Sequence, residues 1–328
     1  MTEMTLEEKQ LLQATLIGDA TTVERLMSFN FTSTILGIAL SQACWNGNVR
    51  IVYLLLEAGA NPNFTNDSDE VTPLSYAIVA DHTDVVLLLL NHPDIDVNAN
   101  GNIALYSAVN DLNIPMIKLL LRSGANVHMD NDWPLEHALQ TDNIELARIL
   151  LEAGADVRAG NNYAIRSITD YSSDVEFLRL LVDAGADIHV DEDTPLLAAI
   201  ESDNVPFVKY LLSIGANIHT RDDYGMLYAI INESYDMAYV LLQAGINITP
   251  QVLDTVARVG KPEMVDLLLE YCADPTILIP EHIRRMVQRN TEMDIRDMMM
   301  YSQMGDPYMN TLTDCRRERL RRSKSRGR

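Results

Sequence analysis

The stretch PLEHALQTDNIELARILLEAGADVR, residues 134–158, decides the fold of this chain. Pro134 suits the first turn of a helix, where its missing N–H costs nothing. Apolar residues follow it at helical spacing, and a second apolar stripe runs from Ile144 to Leu151. Gly154 can adopt the left-handed conformation that ends a helix. The stretch therefore predicts two short antiparallel helices followed by a projecting loop.

The same pattern recurs along most of the chain. An apolar anchor residue opens each unit, and successive anchors lie 34, 31, 30, 30, 31, 30 and 27 residues apart. The anchors are Leu40, Leu74, Leu105, Leu135, Ile165, Leu196, Met226 and Leu253. One helical hairpin is too small to cover its own apolar residues, so neighbouring hairpins must share a continuous core. The repeat predicts a solenoid, a class of protein that usually binds other macromolecules.

Three segments carry a recognisable signature. TPLSYA at 72–77 and TPLLAA at 194–199 resemble the TPLHxA motif of ankyrin repeats, and LLLEAGANPN at 54–63 is similar to the ankyrin second helix and its turn. The resemblance implies an all-α ankyrin-repeat solenoid of about eight helix-turn-helix units with helical caps. It also implies β-hairpin fingers that form, with the first helices, a concave surface for protein partners.

The spacing departs from the usual ankyrin unit of about 33 residues, so we expect shortened β-hairpin fingers. The short period resembles the ankyrin-repeat proteins of large DNA viruses that infect amoebae. We expect four regions: capping helices or a degenerate repeat at 1–35, the repeat array at 36–276, a capping helix at 277–303, and a linker with a disordered basic tail at 304–328.

The charge of the chain is strongly asymmetric. The formal net charge is -22, yet residues 316–328 contain eight Arg or Lys and one Glu, a local charge of +7. Residues 1–315 therefore carry about -29. This argues against bare affinity of the body for nucleic acid or anionic membranes, because like charges repel.

The tail itself has several possible roles. Its basic residues are Arg316, Arg317, Arg319, Arg321, Arg322, Lys324, Arg326 and Arg328. They fit a nuclear-import signal, an electrostatic clamp on nucleic acid, a solubilising end, or a segment that masks the acidic surface of its own body.

Catalytic and metal sites have little support in the sequence. It contains no GxSxG, no glycine-rich phosphate loop and no HExxH. His128, His189 and His219 occupy one place in three units, but stacked units lie about 10 Å apart and metal ligands lie about 2 Å from the ion. We therefore expect a structural role for these histidines in the turns, no metal, no cofactor and no enzymatic activity.

The tips of the loops are the candidate partner-binding site. Carboxylates recur there beside aromatic residues that replace the signature threonine, and aromatic anchors amid polar groups are typical of interface hot spots. The residues are Asp130, Asp132, Trp133, Tyr163, Asp191, Glu192, Asp193, Asp222, Asp223 and Tyr224. An acidic stripe beside a column of aromatics would suit a partner with a Lys/Arg-rich surface. The other interpretation is a solvated edge whose aromatic rings fold onto their neighbours.

These observations predict a non-enzymatic protein–protein interaction scaffold, and the viral resemblance suggests a host-interaction factor. One alternative is a nucleic-acid-associated protein that uses the tail, and another is a substrate adaptor for a ubiquitin ligase that uses residues 280–312. Three cysteines without a framework and no apolar leader or membrane-spanning run favour an intracellular protein, cytoplasmic or nuclear, and we expect a monomer.

Overall fold

The computed structural model of the chain describes residues 4–65, 71–259 and 262–271. It divides into two compact units, Met1–Val190 and Asp191–Arg328. The regular elements of the described residues are all α-helices, and these residues contain no β-strand. The predicted capping helix at 277–303 and the predicted linker and tail at 304–328 lie outside the described residues.

The helices of the first unit alternate as first and second helices of successive hairpins. They are α1 (Leu6–Ile17), α2 (Ala20–Leu26), α3 (Ser33–Trp45), α4 (Val49–Glu57), α5 (Pro73–Val79), α6 (Thr83–Leu90), α7 (Ala99–Asn110), α8 (Ile114–Arg122), α9 (Trp133–Gln140), α10 (Ile144–Glu152), α11 (Ala159–Tyr171) and α12 (Val175–Asp183). First helices pack on first helices in the order α1, α3, α5, α7, α9 and α11. This unit is therefore an all-α solenoid, as the repeat predicts.

The second unit begins within α13 and continues the same alternation. Its helices are α13 (Val190–Glu201), α14 (Val205–Ser213), α15 (Thr220–Ile231), α16 (Tyr235–Gln243), α17 (Pro250–Val259) and α18 (Pro262–Tyr271). Within it α15 packs on α17, and α16 contacts both α14 and α18. No helix in the described part of the chain is long and apolar enough to cross a membrane.

The hairpin of residues 134–158 forms for the reasons its sequence suggests. Pro134 lies in the first turn of α9, and Asn143 caps α10 by accepting the N–H of Leu146 at 2.9 Å. Gly154 follows α10 with φ of 97°, a conformation that side-chain-bearing residues rarely adopt. The predicted pair of short helices is therefore confirmed.

The eight apolar anchors lie at the centre of the core of their own unit. Each is at most 4% exposed. At about 25 cal/mol per Å² of buried apolar surface, a fully buried leucine contributes roughly 2 kcal/mol. Within each unit the core is therefore distributed along the hairpins, and neighbouring hairpins of that unit depend on one another.

The shortened fingers differ from the β-hairpins that the resemblance implies. Five of them contain three consecutive residues in the left-handed region, with φ between 46° and 68°. These triplets are Asn100–Asn102, Asp130–Asp132, Gly160–Asn162, Asp191–Asp193 and Arg221–Asp223. Asn, Asp and Gly tolerate this region best, and they fill all but two of these positions. The left-handed backbone is therefore enough to explain why Asn, Asp and Gly occur at these tips.

Candidate functional site

Most of the fingers begin with a side chain that folds the backbone into a turn. Two residues after the helix-ending glycine, an Asp or Asn Oδ1 accepts the N–H of the residue two positions on. For example, Asn126 binds the N–H of His128 at 3.0 Å, and Asn217 binds that of His219 at 3.0 Å. Asp187 binds the N–H of His189 in the same way at 2.9 Å. These bonds place the three histidines in the turns, but they use the backbone N–H and do not depend on the imidazole.

Asparagine side chains join successive fingers in the first unit. Oδ1 of Asn98 accepts the N–H of Asn126 at 2.7 Å, while its Nδ2 donates to the carbonyl of Gly124 at 3.1 Å. Asn63 makes the equivalent pair of bonds with Asp96 and Asp94, at 2.8 and 2.7 Å. Each amide therefore satisfies one donor and one acceptor of the next turn.

Carboxylates make these links where histidine replaces the asparagine. Oδ1 of Asp132 accepts the N–H of Asp156 at 2.9 Å, and Nδ1 of His128 lies 3.1 Å from the same oxygen. In the second unit, Oδ1 of Asp193 accepts the N–H of Asn217 at 2.9 Å.

Asp223 links two fingers of the second unit in a similar way. Its Oδ1 lies 2.7 Å from Nδ1 of His219, and its Oδ2 accepts from Nδ2 of Asn247 at 3.0 Å. The predicted acidic stripe is wrong for three of its members, because Asp132, Asp193 and Asp223 are only 7%, 5% and 6% exposed. Their oxygens face the next finger because the third residue of each left-handed triplet turns inward. These three carboxylates stabilise the stack and do not belong to its exposed surface.

The other carboxylates of the predicted stripe are exposed. Asp130 lies at a tip in the first unit, and Asp191, Glu192 and Asp222 lie at tips in the second unit. Tyr224 is 36% exposed and packs against Tyr228, with ring centroids 6.2 Å apart. The structure thus leaves four carboxylates and one tyrosine accessible to a partner. The basic residues of the tail lie outside the described residues.

The remaining two predicted aromatics fold onto neighbours. Trp133 stacks on Tyr106 with ring centroids 4.6 Å apart and planes tilted by 21°, and it also contacts His137 at 5.0 Å. The hydroxyl of Tyr163 lies 3.0 Å from that of Tyr171, and this hydrogen bond raises the pKa of Tyr171. Both aromatics are half-buried, so they shape the surface more than they extend from it.

The first helices of the first unit also carry an exposed apolar face that the loop-tip prediction did not include. Trp45 is 50% exposed, Val79 49%, Tyr106 39% and Ile38 38%. Trp45 and Val79 both stand five residues after the anchor of their unit, a position that points away from the core. A large apolar residue at this outward position, five after the anchor, was therefore a usable signal.

A groove lies at one end of this face, and we call it the Trp45 groove. It has a volume of about 260 Å³ and is lined by Ile38, Ser41, Gln42, Trp45, Phe64 and Tyr76. Trp45 and Tyr76 meet edge to face with centroids 6.0 Å apart. Phe64 lies directly on Gly37, where a Cβ atom would come within 2.2 Å of its ring. The glycine therefore makes room for one wall of the groove.

No catalytic or metal centre emerges from the described residues. Cys44 is fully buried, as its place on a first helix suggests, and burial raises its pKa, so the thiol stays protonated at neutral pH. The described residues contain no group of three or more His, Cys, Asp or Glu side chains that could hold a metal ion. The described surface therefore offers an apolar face on the first helices of the first unit, and exposed carboxylates at finger tips within each unit.

Comparison with known proteins agrees with this architecture. The sequence model of the family described as ankyrin repeats (3 copies) matches residues 11–100, 40–131, 94–161 and 163–252. Over 77 residues the chain is 36% identical to FPV223, an ankyrin repeat protein of Fowlpox virus (strain NVSL). The matched segment is 24% of this chain and 54% of the viral protein.

A second relative shares a segment of similar length. Over 80 residues the chain is 38% identical to the human transient receptor potential cation channel subfamily A member 1. The matched segment is 24% of this chain and 7% of the channel. The chain thus spans about half of one relative and a small part of the other. Ankyrin repeats are typically non-catalytic modules that bind protein partners, and because their family model matches most of its length, this chain belongs to the ankyrin repeat family.

Proposed function

We propose that the protein is a non-enzymatic interaction scaffold that binds a protein partner with a Lys/Arg-rich surface. The observation that carries the proposal is the composition of the first-helix face of the first unit. Apolar side chains on α3, α5 and α7 are 38–50% exposed there. The helices α3, α5, α7 and α9 contain no Lys or Arg.

The exposed apolar side chains favour a protein partner, and the lack of Lys and Arg on these helices favours one that is basic. Exposed aromatic side chains bury a large area at small entropic cost and are the usual energetic centres of interfaces. The surrounding charge is acidic, since residues 1–315 carry about -29. Opposite charge raises the rate of encounter and disfavours acidic competitors. The exposed tips at Asp130, Asp191, Glu192 and Asp222 extend the acidic surface within each unit.

We further propose that the partner belongs to a host cell. The short repeat period and the similarity to a poxvirus ankyrin repeat protein support this assignment. The protein would then act as a monomer in the cytoplasm or nucleus of the infected cell. There are two alternatives. The protein could associate with nucleic acid through the tail at 316–328, or recruit a ubiquitin ligase through residues 280–312.

The test is affinity capture from a host-cell lysate followed by mass spectrometry. Four proteins are compared: the intact chain, a deletion of residues 316–328, Trp45→Ala with Tyr106→Ala, and Tyr53→Ala. Tyr53 is a matched control because it is 43% exposed but lies on a second helix, α4. We expect one set of partners on the intact, tail-deleted and Tyr53→Ala proteins, and its loss from the Trp45→Ala, Tyr106→Ala protein.

The other outcomes favour the alternatives. Retention of DNA or RNA that falls steeply with salt and vanishes with the tail indicates nucleic-acid association. Ligase subunits among the captured proteins indicate an adaptor, and a further deletion of residues 280–312 should then remove them. A partner that binds all four proteins equally contradicts the first-helix face as the binding surface.

A further inference from the structure

We propose that the Trp45 groove and an acidic depression beside it together bind a partner peptide that places one large apolar side chain next to an Arg or Lys. The inference rests on the scaffold function proposed above and names the chemistry recognised at one place on the first unit. It concerns the short peptide element that would enter the surface, whatever protein carries that element.

The groove fits a single apolar side chain. Ile38, Gln42 and Trp45 follow each other at helical spacing on α3, so they form one continuous wall. The volume of about 260 Å³ is below the ~300–1,000 Å³ of clefts that enclose small molecules. Trp45 is half exposed, so a side chain that enters the groove removes apolar surface from water on both partners.

The acidic depression adjoins the groove through Trp45 and His82. It also has a volume of about 260 Å³, and its lining includes Gly47, Asp81, His82 and Asp84. Nε2 of His82 donates a hydrogen bond to the carbonyl of Trp45 at 3.0 Å, because a carbonyl oxygen can only accept. Both depressions are therefore built on the same end of α3, and one short peptide can reach both.

The carboxylates of the depression face no strong positive charge from the surrounding sequence. Asp81 and Asp84 are exposed, and residues 51–117 contain nine Asp or Glu and no Lys or Arg. The nearest basic residue before this stretch is Arg50, which binds Glu24 at 3.1 Å and lies over the ring of Tyr53. The charge of the depression is thus complementary to an incoming cation.

The two parts select an apolar residue and a basic residue together. An acidic peptide would meet repulsion at Asp81 and Asp84, while a purely basic peptide would leave the aromatic wall in water. Arginine suits the junction best, because its guanidinium can bind carboxylates and also stack on Trp45. Surface ion pairs contribute little by themselves, so the apolar side chain supplies most of the affinity and the carboxylates supply selectivity.

The experiment uses the full chain with Trp133→Phe, which leaves Trp45 as the single tryptophan of the protein. A phage library of random 12-residue peptides is selected on this protein, and enriched peptides are synthesised and titrated while Trp45 emission is followed. We expect enriched sequences with a large apolar residue within four positions of Arg or Lys, and a change in Trp45 emission at saturation. Enrichment of acidic peptides, or no such consensus, overturns the proposal.

Charge-removing variants then test the depression. We expect Asp81→Asn with Asp84→Asn to weaken binding of these peptides roughly three- to tenfold and to reduce its dependence on salt. Asp142→Asn is the matched control, because Asp142 occupies the corresponding left-handed turn position of another unit, with φ of 50° against 58° at Asp81. Equal affinity of the double variant and the control overturns the proposal.

The two proposals fail separately. If lysate partners require Trp45 and Tyr106 but peptide binding ignores Asp81 and Asp84, only the peptide chemistry is wrong. If the Trp45→Ala, Tyr106→Ala protein captures the same partners as the intact chain, the proposed binding surface is wrong.

Discussion

Oδ1 of Asp132 accepts the backbone N–H of Asp156 at 2.9 Å, a bond that joins residues 24 positions apart in successive repeat units. His128 holds the same carboxylate through Nδ1 at 3.1 Å. Because Asp132 is only 7% exposed, water has little access to replace it as the acceptor. The carboxylate therefore contributes to stability through a specific link between fingers.

Replacement of Asp132 by glycine tests this link. Glycine keeps the left-handed conformation without strain but leaves the N–H of Asp156 without its acceptor. We expect the free energy of unfolding to fall by about 1–3 kcal/mol. Asp130→Gly makes the same change at an exposed position of the same triplet, and we expect it to stay within about 0.5 kcal/mol of the parent. Urea denaturation followed by circular dichroism compares the two, and equal losses would show that the link contributes nothing.

Asn98 links two fingers with both a donor and an acceptor, so the contribution of the donor can be tested. Asn98→Asp keeps the acceptor for the N–H of Asn126 but replaces the donor that binds the carbonyl of Gly124 at 3.1 Å. Two oxygens would then face each other, so we expect a loss of about 1–2 kcal/mol in the free energy of unfolding. Asn131→Asp is the control, because it makes the same chemical change at an exposed tip. A loss as large in Asn131→Asp would point to the added charge as the cause.

The helical hairpins and their core were predictable because their signal is periodic. Leu135 is buried for the same reason as Leu105, and one anchor found in the sequence locates the others. Gly154 likewise marks a helix end by a property of its own backbone. Local rules that act within one unit were thus enough to predict the helical elements.

The roles of the tip carboxylates were not predictable in this way. Asp130 and Asp132 belong to one left-handed triplet, yet the first is exposed and the second is buried. The difference depends on where the next finger lies, which is a property of the stack. The stacking of Trp133 on Tyr106 has the same origin, since it joins α9 to α7. A histidine four residues before the buried Asp, as His128 is, was the only local sign of the inward turn.

Gly37 and Phe64 form a pair whose coupling can be measured. A Cβ atom at Gly37 would come within 2.2 Å of the Phe64 ring, so Gly37→Ala must displace that ring. Ala normally stabilises a helix interior by about 1 kcal/mol relative to Gly. We expect this gain only when Phe64→Ala is also present, and a neutral or destabilising effect when Phe64 is intact. Urea denaturation of the four proteins gives the coupling energy, and additive effects would show that the ring does not occupy this position.

The displaced ring should also affect the Trp45 groove, because Phe64 forms one of its walls. In the single-tryptophan protein we expect Gly37→Ala to change the emission of Trp45, since the groove then opens to water. Gly225→Ala is a control in the second unit, where a Cβ atom would come within 2.8 Å of Ile200. It should affect stability without changing that emission.

His137 predicts a dependence of stability on pH. Its side chain lies against Trp133, and burial lowers its pKa from the ordinary value near 6.5. Below about pH 6.5 the unfolded chain therefore binds a proton at His137 that the folded chain does not yet bind. This difference favours the unfolded state, so the contribution of His137 to stability declines as the pH falls through the unfolded value toward the folded one. Above about pH 7.5 the residue is neutral in both states and contributes no pH dependence.

His137→Phe removes this dependence of stability on pH, and it keeps an aromatic ring beside Trp133. Between about pH 7.5 and pH 5.5 we expect the melting temperature of the variant to fall less than that of the parent, because only the parent has the extra proton uptake on unfolding. Thermal unfolding of both proteins at matched ionic strength provides the measurement, and the other histidines cancel in the comparison. Curves that stay parallel over this range would mean that His137 has the same pKa in the folded and unfolded states, and that its burial against Trp133 does not exclude water.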